Sequence, residues 1–222
     1  MDTQRRVRDL LGALPLIGWY LWGLWQQIPI FIERLPALSA GSHIGAPLTL
    51  QIVAQAASIA FTSLLIVLLV VRDMPRAQAR GLGAYAAAAL GTFAVTSFFF
   101  LSPAALTTSL FTVATLCIIV GFGLSIYALI YLGGSFAVLP SARTLITGGP
   151  YRYVRHPLYL FEELAVVGIA LQFAQPWSLL VMLVHLAAQL ARMRYEEQAL
   201  IEAFPEYADY AARTARFIPG IY

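Results

Sequence analysis

The 222-residue sequence has no lysine, a single cysteine and few charges, and each shortage closes off a class of protein. Charged residues make up 11% of the chain, against roughly a quarter in an ordinary soluble domain. Together with 60% hydrophobic residues and a mean hydropathy of +0.76, this excludes a water-soluble globule. Cys117 lies alone in an apolar stretch, so it supports neither a disulfide nor a thiolate metal cluster, and it reads as a packing residue. H-x-x-H and H-E-x-x-H spacings are absent, so no metal is expected. No G-x-S-x-G occurs, which removes the usual serine nucleophile. No P-loop or G-x-G-x-x-G occurs either, and the pairs Gly133-Gly134 and Gly148-Gly149 are explained as turns. The short alternating segments of a β-barrel are missing. The first apolar run carries tryptophans, glutamines and a proline with no small-residue exit, so no cleavable signal peptide is expected.

What the chain does have is apolar runs close to the twenty residues that cross a bilayer as a helix. They fall at about Leu11–Phe31, Thr49–Val71, Gly83–Leu101, Leu106–Leu132, Leu158–Phe173 and Trp177–Leu190. The expected fold is an all-α polytopic membrane bundle of about six transmembrane spans ending in a cytoplasmic helix. The alternative is five spans plus a re-entrant pair over 158–190. The expected division is 1–133 as N-terminal transmembrane helices and 134–222 as a region with a helical hairpin and a polar tail. The 14 basic residues are all arginine and sit at the ends of apolar runs, which fits membrane topology rather than nucleic-acid binding. With six crossings, thirteen of the fourteen arginines share one side and Arg34 lies opposite. The positive-inside rule then places both termini and the 134–157 loop in the cytoplasm, at the inner membrane of a bacterium.

One polar, turn-rich segment interrupts the apolar sequence: Gly149-Pro150-Tyr151-Arg152-Tyr153-Val154-Arg155-His156-Pro157-Leu158-Tyr159, with Glu162-Glu163 just inside the next run. Ionisable groups in such a place are costly and are usually kept for a site or a pathway. A hairpin over 158–190 brings Arg143, Tyr151, Arg155, His156, Tyr159 and Glu162 to one face with Arg192, Arg194, Glu196 and Glu197. His185, in the middle of an apolar helix, reads as a packed and hydrogen-bonded residue, and His43 stands alone in an irregular loop. The resulting pocket has mixed charge and aromatic walls, which suits a zwitterionic, partly aromatic ligand. The residues alone go no further.

The segment 149–159, preceded by Gly-Gly-Ser-Phe and followed by Arg-x-Arg-x-Glu-Glu and Phe-Pro-Glu-Tyr-x-x-Tyr, resembles the isoprenylcysteine carboxyl methyltransferase family and its bacterial relatives, including phospholipid methyltransferases. The resemblance covers about residues 130–220. It implies S-adenosylmethionine as methyl donor, with Tyr151, His156, Pro157, Leu158, Tyr159 and Glu196 at cofactor-contacting positions and the stretch Arg143, Thr144, Leu145, Ile146 giving backbone contacts. Arg192 corresponds to an arginine that holds the substrate carboxylate, and Arg155 and Glu197 flank the motif. The implied reaction is transfer of the sulfonium methyl to a carboxylate or other nucleophile on a lipid-like or small hydrophobic acceptor; a carboxylate needs no strong base. For an acceptor that must lose a proton, Glu162 or Glu163 is the expected base. Two other classes stay open: membrane reductases that share a motif of this type and use NADPH, and a non-catalytic membrane accessory protein.

Overall fold

A computed structural model describes residues 2–39 and 46–220; His43 lies outside the described residues. The chain is all-α but for one short strand pair. Helix α1 spans Asp2–Arg34, with Pro15 and Pro29 inside it, and α2 is a single turn, Pro36–Ser39. Helices α3 (Ala46–Val71) and α4 (Leu82–Phe93) follow, the latter tightening into a 3-10 stretch over Ala94–Phe100. Helix α5 covers Thr108–Leu132. Its start is fixed by Thr107, whose hydroxyl accepts the Leu110 amide at 3.3 Å, an N-cap that satisfies one otherwise unpaired helix donor. Its end is set by Gly133, whose φ of 51° lies in the region that favours glycine. Helices α6 (Pro157–Leu171), α7 (Trp177–Ala203) and α8 (Tyr207–Arg213) complete the chain.

Among the described residues, three stretches are long and apolar enough to cross a membrane: Pro47–Val71, Leu82–Phe100 and Thr108–Ser135. This corrects the expectation of six spans, and equally that of five plus a re-entrant pair. The shortfall has a physical cause in each remaining helix. Helix α6 has 15 residues, about 22 Å at 1.5 Å per residue, against a hydrocarbon core of about 30 Å. The second half of α7 carries Gln189, Arg192, Arg194, Glu196 and Glu197. Helix α1 carries charged residues in its first turns and Gln26, Gln27, Glu33 and Arg34 toward its end.

The helices pack in pairs, α1 on α3, α3 on α5, α5 on α6, α6 on α7 and α7 on α4. The α5–α6 contact is the most intimate because glycines face it. A Cβ on Gly121 would lie 2.5 Å from the Ala165 amide nitrogen, and one on Gly168 would meet the Ala114 carbonyl oxygen. At one end of the bundle the connecting segments are stitched together. Ala77–Gln78 (β1) pairs antiparallel with Ser141–Ala142 (β2). Asp9 accepts from Arg72 Nε at 2.7 Å and from Arg143 at 3.1 Å, the Arg143 guanidinium also donates to the Asp73 carbonyl, and the Asp73 amide donates to Gly134 O at 2.8 Å. The C-terminal segment joins the same end: the amides of Arg155 and His156 donate to the carbonyls of Ala215 and Arg216 at 2.8 and 3.2 Å. Arg34 is at the opposite end, donating to Gln55 at 3.1 Å.

Candidate functional site

The polar stretch 149–159 takes its shape from its turn residues. Gly149 has φ 58°, and a Cβ there would run into the Tyr131 ring. A 3-10 turn, Gly149–Arg152, leads to His156, which is the residue before α6, and Pro157 opens that helix where its missing N–H costs nothing. The turn is held from outside by Tyr210, whose hydroxyl donates to the Tyr151 carbonyl at 2.6 Å.

Between this turn, the 135–146 loop, α6, α7 and α8 lies a cavity of about 260 Å³, close to the ~300 Å³ at the small end of ligand pockets. Arg143, Thr144, Leu145, Ile146, Tyr151, His156, Leu158, Tyr159, Glu162, Arg192 and Glu196 all line it. Four of the residues expected at the site do not: Arg194 is exposed, Glu197 is buried behind His156, and Pro157 and Glu163 are also off the lining. Pro157 is fully buried in the first turn of α6. Glu163 turns away from the cavity, its Oε1 2.7 Å from His185 Nδ1. His185 is buried and hydrogen-bonded, as expected, and it also borders the cavity.

The polar end of the cavity has a charge pattern of its own. His156 Nε2 is 3.2 Å from Glu197 Oε1, and its Nδ1 is 3.8 Å from Glu196 Oε2. The Tyr159 hydroxyl donates to Glu196, and the Tyr159 ring stacks on His156 with centroids 5.7 Å apart. Arg192 is 5% exposed and donates to Gln189 Oε1 and Val138 O, both at 3.0 Å, while its guanidinium lies 4.9 Å from the centre of the Tyr159 ring. Among the described residues no carboxylate reaches it within ion-pair distance, and its Nε has no partner. A buried cation satisfied only by neutral groups is poised for an anion. The buried Tyr151 hydroxyl, the Arg143 Nε and the Ser141 hydroxyl are also unpartnered, and groups of this kind normally find a partner. Burial, then the charges of Glu196 and Glu162, push the Tyr151 hydroxyl up, which keeps it a neutral donor. Burial likewise pushes Glu162 up to about 7, although Arg192 and His185 pull it down. Its Oε2 accepts from Gln189 at 2.9 Å. A zwitterion with a carboxylate and an ammonium fits this set: Arg192 and the free donors for one end, Glu196 and Glu162 for the other.

The other end of the cavity is apolar and runs between α3, α5 and α6 past Phe61, Leu65, Phe122, Val166 and Ile169. Phe61 and Leu65 were not among the expected residues, because nothing in an unbroken apolar helix marks the side that faces a cavity. Tyr207 and Tyr210 of α8 also line it. Their Tyr-x-x-Tyr spacing was visible in the sequence, and it puts both rings on one helix face.

A buried chamber of mixed charge with an apolar limb beside membrane helices is the kind of site a membrane enzyme uses for a polar cofactor and an apolar acceptor, and the family comparison points the same way. Residues 105–207, a little under half of the chain, match the family described as Phospholipid methyltransferase; the part of the chain that builds most of the cavity thus has the sequence of a membrane methyltransferase family. Among individual proteins, the chain is 43% identical over 83 residues to the cobalt-zinc-cadmium resistance protein CzcN of Cupriavidus metallidurans. It is 36% identical over 78 residues to the nickel-cobalt-cadmium resistance protein NccN of Alcaligenes xylosoxydans xylosoxydans. Each similar stretch covers 35% of this chain and 37% of the relative's own length.

Proposed function

We propose that the protein transfers a methyl group from S-adenosylmethionine to a small hydrophobic or lipid-like acceptor at the membrane boundary. The observation that carries this reading is the two-part cavity built mostly by the family-matched segment: a chamber lined by Arg192, Glu196 and unpartnered buried donors, with an apolar limb to which α3 contributes. When bound, S-adenosylmethionine supplies an electrophilic methyl on a sulfonium. In this reading Arg192 and the Tyr151 hydroxyl hold the donor's carboxylate end, and Glu196, braced by Tyr159, holds its ammonium or ribose hydroxyls. His156 orders Glu196 and Glu197 around it. The limb aligns the acceptor's reactive atom with the donor and keeps water out, which supplies catalysis by positioning and shielding.

The chamber is assigned to the cytoplasmic side of a bacterial inner membrane. Supporting this, the segments bearing Arg72, Arg76, Arg143, Arg155 and Arg216 are tied together at one end of the bundle, whereas Arg34 is at the other. Such an excess of arginine marks the inner side. Incubation of the purified protein with methyl-labelled S-adenosylmethionine and a total bacterial lipid extract tests the reaction. Label in an organic-soluble product, lost when Val166→Trp plugs the limb, is the expected result. No transfer to any lipid would overturn the reading.

A further inference from the structure

We propose that His185, oriented by Glu163, is the base that takes the acceptor's proton, so that the acceptor is an amine, thiol or hydroxyl on an apolar chain and not a carboxylate. This rests on the methyl-transfer reading above. Helices α6 and α7 face each other along a polar ladder that descends from the chamber into the apolar limb. On α7 the ladder is Glu196, Arg192, Gln189 and His185, whose spacing puts them on one helix face. On α6 it is Tyr159, Glu162 and Glu163. Each rung is closed by a hydrogen bond: Tyr159 to Glu196, Gln189 to Glu162, and His185 with Glu163.

The lowest rung has no evident packing reason. His185 and Glu163 are 3% and 8% exposed, His185 lines the cavity together with Val166 and Ile169, and two ionisable groups buried in an apolar setting are expensive. The proposed dyad has Glu163 as the acceptor across the 2.7 Å contact, which puts the imidazole proton on Nδ1 and the lone pair on Nε2. His185 borders the cavity while Glu163 does not, which leaves Nε2 as the nitrogen for the cavity. The other titratable groups around this rung are Glu162 on α6, Arg192 on α7 and Tyr20 on α1.

The step balances as follows. The acceptor's lone pair forms a bond to the sulfonium methyl carbon, the carbon–sulfur bond breaks with its electron pair going to sulfur, and the proton on the acceptor's heteroatom passes to His185 Nε2. A carboxylate acceptor has no proton to give and would make this dyad idle. Glu163, which touches His185 and not the acceptor, is a positioning residue.

Two measurements test this. Nitrogen-15 spectra of ring-labelled histidine in the detergent-solubilised protein, without donor, should show His185 as the Nδ1-protonated tautomer, with the signal assigned by its loss in His185→Gln. Glu163→Gln should release that tautomer preference. An Nε2-protonated ring in the wild type overturns the proposal. The second measurement offers dodecylamine, dodecanethiol and dodecanoate to wild type and variants with labelled S-adenosylmethionine. The amine or thiol should be methylated and dodecanoate not. Both variants should lose about 100-fold or more in kcat, the usual scale of a general base, with donor affinity kept. Their deficit should narrow as pH approaches the acceptor's own pKa, which a merely structural defect would not do. Methylation of dodecanoate, an undiminished His185→Gln, a pH-independent deficit, or no product despite tight donor binding would each sink the assignment of His185. Failure of the wild type to bind the donor would instead remove the methyl-transfer reading itself.

Discussion

Glu197 shows how single residues set the conditions under which this site exists. Burial alone would raise its pKa, but hydrogen bonds from His156 and Arg216 and the charges of His156 and Arg155 outweigh it and hold the group at about 2. Arg155 and Arg216 reach its oxygens at 3.2 and 2.7 Å. A carboxyl whose folded pKa lies below its unfolded value of 4.5 stabilises the fold above that value and loses the contribution as pH falls toward 2. Melting of the wild type in detergent should therefore fall between about pH 4.5 and 2, and Glu197→Gln should melt lower at neutral pH with a flatter profile in that window. Glu162 has the opposite sign. Its pKa of about 7 in the folded protein means that stability is lost as pH rises from about 4.5 through 7, and Glu162→Gln should gain on the wild type at pH 8. An unchanged difference between variant and wild type from pH 5 to 8 would contradict this. In the sequence Glu197 was only a neighbour of Glu196 and Arg155 only a flanking arginine. What makes Glu197 a hub is the register of α7 against the 154–156 turn and the return of the chain at Ala215–Arg216, and neither is visible in a linear motif.

At the scale of elements, α5 and α6 are close because Gly121 and Gly168 leave room for backbone. Gly168→Ala should force α6 away from the Ala114 carbonyl and cost about 1–3 kcal/mol, the usual range for an overfilled interface; a detergent melting curve equal to the wild type would refute the packing. Gly123, which has open space around its Cβ position, should tolerate the same change. Helix positions themselves were largely readable, since the apolar runs at 49–71 and 106–132 coincide with α3 and α5. The number of membrane crossings was not. An apolar run does not show where its helix ends: Pro157 and the turn after Leu171 shorten α6 to 15 residues, while the polar ladder runs through α7 from His185 to Glu196. The same ladder that builds the site thus disqualifies that helix by composition as a span.

Over the whole molecule, the protein is a bundle with one end made of arginine-bearing segments, several of which also line the cavity. Ser102 lies in the turn between the 3-10 stretch and α5, whereas Arg152 is exposed beside the chamber. In a Cys117→Ser background, Arg152→Cys should react with an impermeant maleimide only from the cytoplasmic face, and Ser102→Cys only from the other. The reverse pattern would turn the site outward. The chemistry of the chamber was legible earlier than its shape: Tyr151, His156, Tyr159, Arg192 and Glu196 were all named from sequence, and all line one cavity. The limb was not, because Phe61 and Val166 differ from their neighbours only in the direction they face.

The central claim is that this chamber holds S-adenosylmethionine. Isothermal titration of the purified protein with S-adenosylmethionine, and separately with NADPH, tests it directly. Saturable binding of S-adenosylmethionine alone is expected, weakened at least about tenfold, or 1.4 kcal/mol, by either His156→Ala or Glu196→Ala in folded protein. Equal affinity in the wild type and both variants, or binding of NADPH in its place, would contradict it.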